Sequence, residues 1–81
     1  MNDFNAALTS FIQDEVVLED VLVENETDLL LSGAVDSLGV IRITHWIEEV
    51  TGMAVDPGVV TLENFQTVAK MTAFVDSRAG A

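Results

Sequence analysis

The chain has no cysteine, only three basic residues among its 81 amino acids, and no long apolar run. Without cysteine there is no disulfide framework, thiolate metal site or cysteine nucleophile. The apolar runs are far shorter than the roughly 20 residues that a membrane-spanning helix needs. The first ten residues, MNDFNAALTS, lack the basic segment and long apolar core of a signal peptide. These absences predict a soluble, cytoplasmic protein that does not associate with membranes.

The charge of the chain is strongly one-sided. Fourteen acidic residues stand against three basic ones, which gives a net charge of -11. Such a surface repels nucleic-acid backbones and anionic membranes, and it attracts partners with basic patches. Solubility alone would also account for the acidity, so the charge does not decide between the two explanations. The length suits one small domain, over residues 1–81, with a modest core.

The spacing of the apolar residues predicts an all-α fold, a small four-helix bundle of three main helices and one short helix. We expect the helices at residues 3–17, 37–51, 59–63 and 65–77. The expected N-terminal caps are Asp3, Asp36 and Asn64. Gly52 is a typical C-terminal stop, and Asp56-Pro57-Gly58 indicates a turn.

A long segment, residues 17–35, separates the first two helices and has no clean periodicity. Loops longer than about 12–15 residues are usually functional or disordered. Its aliphatic side chains predict an ordered loop that is anchored to the core through Val21, Val23, Leu29, Leu30 and Leu31. Gly33 is the expected turn position.

The second helix has two apolar faces. At about 100° per residue, the expected core stripe consists of Val40, Ile43, Ile47 and Val50. Leu38, Ile41 and His45 fall roughly opposite it, near Arg42 and Glu49, and Trp46 lies at the flank. Either the long loop covers this second patch, or the patch is a partner surface ringed by acids.

Ser37 does not fit a catalytic site. The only histidine, His45, lies eight residues further along the same helix, about 12 Å away at 1.5 Å per residue, whereas a base must approach to about 3 Å. The surrounding sequence is not the G-x-S-x-G elbow, and the acidic run EDVLVENETD lacks the spacing of a calcium loop. We therefore expect no catalytic residue and no metal site.

Ser37 does fit an attachment point. A serine in the first helical turn places its hydroxyl beside unpaired backbone N–H groups. A phosphate ester at that position is favoured by the helix dipole, by about 0.3–1 kcal/mol. Alternatively, Asp36 and Ser37 do no more than cap the helix.

The sequence Gly33-Ala34-Val35-Asp36-Ser37-Leu38-Gly39 resembles the attachment motif of the acyl and peptidyl carrier proteins. The resemblance extends from about Phe4 to Val75, with the same helix order and acidity. It implies a covalent 4'-phosphopantetheine on Ser37, transferred from coenzyme A by a phosphopantetheinyl transferase, with Asp36 positioning the metal and coenzyme of that enzyme. The expected partner-binding residues are Leu38, Ile41, Arg42, His45, Glu48 and Glu49.

The resemblance further implies a monomeric, free-standing carrier that catalyses nothing itself. An acyl- or aminoacyl-loading ligase would charge it with thioesters, and downstream transferases or synthases would unload it. Carriers of fatty-acid synthesis usually have acids on this helix where Gly39 and Arg42 stand here. The sequence is closer to carriers of polyketide or nonribosomal peptide assembly. The alternative function is an unmodified, acidic helical interaction module that uses Leu38, Ile41 and Trp46.

Overall fold

The computed structural model describes residues 2–18 and 20–79, and within them the chain forms four α-helices and no strand. The elements are α1 (Asn2–Phe11), which continues into a π-helical turn (Ile12–Val16), α2 (Ser37–Thr51), a 3₁₀ turn (Pro57–Val59), α3 (Leu62–Phe65) and α4 (Val68–Ala79). The predicted all-α bundle with a long loop after its first helix is confirmed. None of the described helices combines the length and apolar character needed to cross a bilayer.

One hydrophobic core joins the long helices, α3 and the loop. Its most completely enclosed side chains are Leu8, Ile12, Leu29, Ile43, Ile47, Phe65, Val68 and Met71. The predicted stripe of α2 is wrong at Val50, which is 53% exposed. Val50 lies at the edge of the stripe in the last turn of α2, and it does not pack against the core cluster.

The loop prediction is wrong at Leu31, which is 70% exposed. The carboxylate of Asp28 accepts hydrogen bonds from the backbone N–H groups of Leu30 (3.1 Å) and Leu31 (2.9 Å). The chain turns there, so that Leu30 packs against the core and Leu31 points away. The turn closes at Gly33, whose φ of 80° confirms the predicted turn position.

Side-chain and backbone hydrogen bonds hold the long loop against the rest of the bundle. The amide of Gln13 donates to the carbonyl of Val21 and accepts from the N–H of Val23, both at 2.7 Å. At the far side, the N–H of Leu29 donates to the carbonyl of Gln66 at 2.9 Å. Because the loop is bonded both to the first helix and to the segment between α3 and α4, it is an ordered part of the fold.

The ends of α2 follow the sequence prediction. Asp36 is the N-cap, and its carboxylate accepts from the N–H of Gly39 at 2.9 Å. Gly52 is the C-cap, with a left-handed φ of 74°.

Two other predicted caps are wrong. Asp3 lies inside the first turn of α1 rather than before it. Asn64 lies within α3, and its amide donates to the carbonyl of Val59. The hydroxyl of Thr67, which accepts from the N–H of Lys70 at 3.1 Å, caps α4 instead. The last helix therefore begins at Val68 and not at residue 65, and the short helix is displaced to Leu62–Phe65.

Candidate functional site

The site centres on Ser37, the first residue of α2, whose side chain is exposed. Asp36 approaches the helix in an extended conformation and binds the N–H of Gly39 through its side chain. The carbonyl of Asp36 accepts from the N–H of Val40 at 3.0 Å. Among residues 2–18 and 20–79, no acceptor pairs with the backbone N–H of Ser37 or Leu38. The exposed hydroxyl thus lies beside two free donors.

This geometry fits a phosphate ester. Free N–H groups and the positive end of the helix dipole both favour an anion at the start of a helix. The cap at Asp36 fixes the first turn without using the hydroxyl of Ser37. The residues present therefore suit a phosphate-linked group, and Ser37 is accessible from solvent.

The second apolar patch on α2 is open to solvent. Leu38 is 65% exposed and Ile41 is 51% exposed, and His45 and Glu49 are also exposed. The possibility that the long loop covers Leu38 and Ile41 is therefore wrong. The structure brings these four side chains onto one surface of α2 that begins at Ser37, as a partner surface requires.

A groove of about 360 Å³ adjoins this patch on the side of the 3₁₀ turn. It is lined by Val40, Ile41, Thr44, Val55, Pro57 and Val60. Because Ile41 belongs both to the exposed patch and to the groove, the two form one continuous apolar surface. This surface extends from α2 onto the 3₁₀ turn.

Two of the predicted partner-binding residues are already engaged within the chain. The guanidinium of Arg42 donates to the backbone carbonyl of Glu15 and lies 3.6 Å from its carboxylate. The carboxylate of Glu48 accepts from the N–H of Val55 at 2.8 Å. Their role in docking stays a prediction, and each also ties α2 to a neighbouring segment. These pairings could not be predicted from the sequence, because each joins α2 to a residue of a separate segment.

Trp46 belongs to the bundle and not to the exposed patch. Its ring stacks on Phe11 with a centroid distance of 5.3 Å and an interplanar angle of 14°. Phe4 contacts the same ring at 5.7 Å. If the chain were an unmodified interaction module, only part of the Trp46 side chain would therefore be available to a partner.

The exposure of Leu38 and Ile41 leads to a prediction about stability. We expect Leu38→Ala and Ile41→Ala each to lower the free energy of unfolding by no more than about 1 kcal/mol, because at least half of each residue is exposed. Ile43→Ala, on the buried side of the same helix, is the matched control, and should cost about 2–5 kcal/mol. Urea unfolding followed by circular dichroism measures all three. A large loss for Leu38→Ala would contradict this assignment of its side chain.

Comparison with known proteins gives the same picture as the geometry. The family described as "Phosphopantetheine attachment site" matches residues 6–75. The chain is also similar to a D-alanyl carrier protein of Abiotrophia defectiva, with 36% identity over 74 residues that cover 91% of this chain and 89% of the relative. The family carries 4'-phosphopantetheine as a covalent prosthetic group, and carriers hand their cargo to other proteins without catalysis. The chain is thus a carrier protein and belongs to the phosphopantetheine attachment site family.

Proposed function

We propose that Ser37 is the residue that bears the 4'-phosphopantetheine of this carrier. The observation that carries the proposal is the exposed hydroxyl at the first position of α2, beside the free N–H groups of Ser37 and Leu38. When bound, the group supplies a terminal thiol that holds cargo as a thioester. Asp36 keeps the first turn ordered through its bond to Gly39 and places a carboxylate beside the hydroxyl.

The other three serines have different surroundings. The hydroxyl of Ser32 donates to the carbonyl of Asp28 and accepts from the N–H of Ala34. The hydroxyl of Ser77 donates to the carbonyl of Phe74 at 2.9 Å. Ser10 lies near the end of α1, far along the helix from its free N–H groups. Ser37 alone among these serines combines exposure with the start of a long helix.

We further propose that the cargo is an aminoacyl group. The support is the similarity to a protein named as a D-alanyl carrier, and D-alanine is therefore the first amino acid to test. The sequence-based assignment to polyketide or nonribosomal peptide assembly stays a prediction. Nonribosomal assembly agrees with an aminoacyl cargo, whereas polyketide assembly uses acyl groups.

The partners we propose are a phosphopantetheinyl transferase, an aminoacyl-loading ligase and a downstream transferase or synthase. Their contact surface on this chain would be the exposed part of α2 formed by Leu38, Ile41, His45 and Glu49. The net charge of -11 favours partners with basic rims and contacts that form quickly and weaken with salt.

The test of this proposal is intact-mass analysis of the purified chain after incubation with coenzyme A and a phosphopantetheinyl transferase. We expect one addition of the mass of phosphopantetheine, located by fragmentation at Ser37. The modified chain is then incubated with ATP, labelled D-alanine and a D-alanyl ligase, and should acquire label that hydroxylamine releases. Parallel reactions with L-alanine and with malonyl-coenzyme A and its transferase test the other cargo classes.

Each arm of the experiment has an outcome that contradicts part of the proposal. No mass gain with several transferases that modify a known carrier would contradict attachment and favour the unmodified interaction module. If the chain gains the mass of phosphopantetheine but is then loaded only with malonyl groups, the proposed attachment at Ser37 stands and the proposed aminoacyl cargo is wrong.

A further inference from the structure

We propose that Gly39 is a positioning residue for priming, because it lets the first turn of α2 sit directly against the end of the first helix and so fixes the direction of Ser37. This inference rests on the attachment at Ser37 proposed above. Gly39 is buried, although it lies only two residues after the exposed serine.

The space around Gly39 is already filled. A Cβ atom at this position would lie 2.8 Å from Cγ1 of Val35 and 2.9 Å from Cγ1 of Val16. It would also lie 3.4 Å from the carboxylate of Asp36. Val16 and Val35 are both buried, so their methyl groups have little room to move. Close approach of two segments, and not an unusual backbone angle, therefore accounts for a glycine here.

A glycine inside a helix lowers helix stability relative to alanine. Glycine in the first turn of α2 thus lowers the stability of the helix. The close approach to Val16 explains why glycine is nevertheless present. Gly58 provides the contrast, since a Cβ there would meet no atom within 4 Å.

The packing at Gly39 is coupled to Ser37 through the cap. The N–H of Gly39 donates to the carboxylate of Asp36, so a displacement of Gly39 strains the bond that orders the helix start. The opposing segment is bonded to the chain on both sides of this turn. The N–H of Leu18 donates to the carbonyl of Ala34 at 2.9 Å, and Arg42 binds the carbonyl of Glu15.

The reaction that depends on this placement is attack by the serine hydroxyl. The Oγ atom of Ser37 forms a bond to the phosphorus nearest the pantetheine of coenzyme A, and the bond from that phosphorus to the bridging oxygen breaks. Adenosine 3',5'-bisphosphate leaves, and the hydroxyl proton passes to the transferase. A misplacement of about 1 Å in such a step can lower the rate by about 100-fold.

The experiment compares the rate of priming in Gly39→Ala, Gly58→Ala and the parent chain. Mass spectrometry follows the reaction at saturating coenzyme A over a range of carrier concentrations, and circular dichroism gives the folded fraction. For Gly39→Ala we expect the kcat of the transferase to fall by about tenfold or more, with a smaller change in the KM for folded carrier. Gly58→Ala should match the parent. A purely structural role for Gly39 would lower the folded fraction, raise the apparent KM in proportion and leave kcat unchanged.

A second variant covers the case in which Gly39→Ala does not fold. In Val16→Ala/Val35→Ala/Gly39→Ala both opposing methyl groups are removed, and we expect a folded chain primed within about threefold of Val16→Ala/Val35→Ala. A folded triple variant that stays slow relative to this double variant would contradict the steric basis, and loss of the fold in these variants would show a general core requirement instead.

The result for the parent chain separates this inference from the proposed function. If the parent is not primed, the attachment proposal is wrong. If the parent and Gly39→Ala are primed at equal rates, only the role of Gly39 is wrong.

Discussion

Replacing Ser37 with alanine is expected to abolish attachment of phosphopantetheine to this chain. The substitution removes the only hydroxyl that is exposed at the start of α2. It leaves the cap intact, because the carboxylate of Asp36, and not the serine, binds the N–H of Gly39. The fold should therefore persist, with a change in the free energy of unfolding within about 0.5 kcal/mol. Intact-mass analysis and a urea unfolding curve measure the two quantities on one preparation.

The matched control is Ser32→Ala, five residues earlier in the same motif region. This variant loses the hydroxyl that bonds to Asp28 and Ala34, so it should be less stable than the parent but fully modified. Modification of Ser37→Ala at the parental rate would move the attachment to another side chain and overturn the central proposal.

Replacing Phe65 with alanine is expected to be the most damaging change to the fold. The ring is 1% exposed and lies 5.8 Å from the ring of Phe74, centroid to centroid. Loss of a buried phenylalanine costs about 3–5 kcal/mol. A domain of this length has a total stability of about 4–12 kcal/mol, so the variant should lose much of it. Thermal unfolding followed by circular dichroism should show a large fall in Tm.

Leu62→Ala is the control for this prediction. Leu62 belongs to the same short helix, α3, but its side chain is 42% exposed. Its loss should cost far less than the loss of Phe65. Equal destabilisation of the two variants would mean that α3 contributes through helix formation rather than through the buried ring.

The features of α2 were predictable because they depend on local sequence. An aspartate before the helix and a glycine after it are local signals, and the structure has Asp36 and Gly52 at those positions. The position of Leu38 and Ile41 away from the core stripe followed from the helical angle, whereas their exposure was one of two alternatives that only the structure decided. The start, the cap and the end of α2 were therefore predictable from the residues around them.

The features that the sequence did not reveal depend on contacts between distant segments. Gln13 looks like any polar helix residue until the loop backbone at Val21 and Val23 is beside it. Val50 lies at the helical spacing of the core positions but is exposed. The spacing does not show where the neighbouring elements end, and so it does not show whether the last turn of α2 is covered. Asn64 and Thr67 are both acceptable caps, and the choice between them depends on where the chain bends after α3.

Gly39 and Arg42 illustrate the same limit within the motif itself. The resemblance implies only that carriers of fatty-acid synthesis usually have acids at these two positions. In the structure one is packed against Val16 and the other is bonded to Glu15. Both residues therefore join α2 to the end of the first helix, and an acid at Gly39 would not fit the available space.

The stacking of Trp46 on Phe11 makes the chain its own optical probe. The protein contains one tryptophan and no tyrosine, so its near-ultraviolet absorbance and emission come almost entirely from a single indole. That indole lies between α1 and α2, next to His45, on the helix that begins at Ser37. Unlabelled fluorescence therefore reports both the separation of these helices on denaturation and the arrival of a binding enzyme beside them.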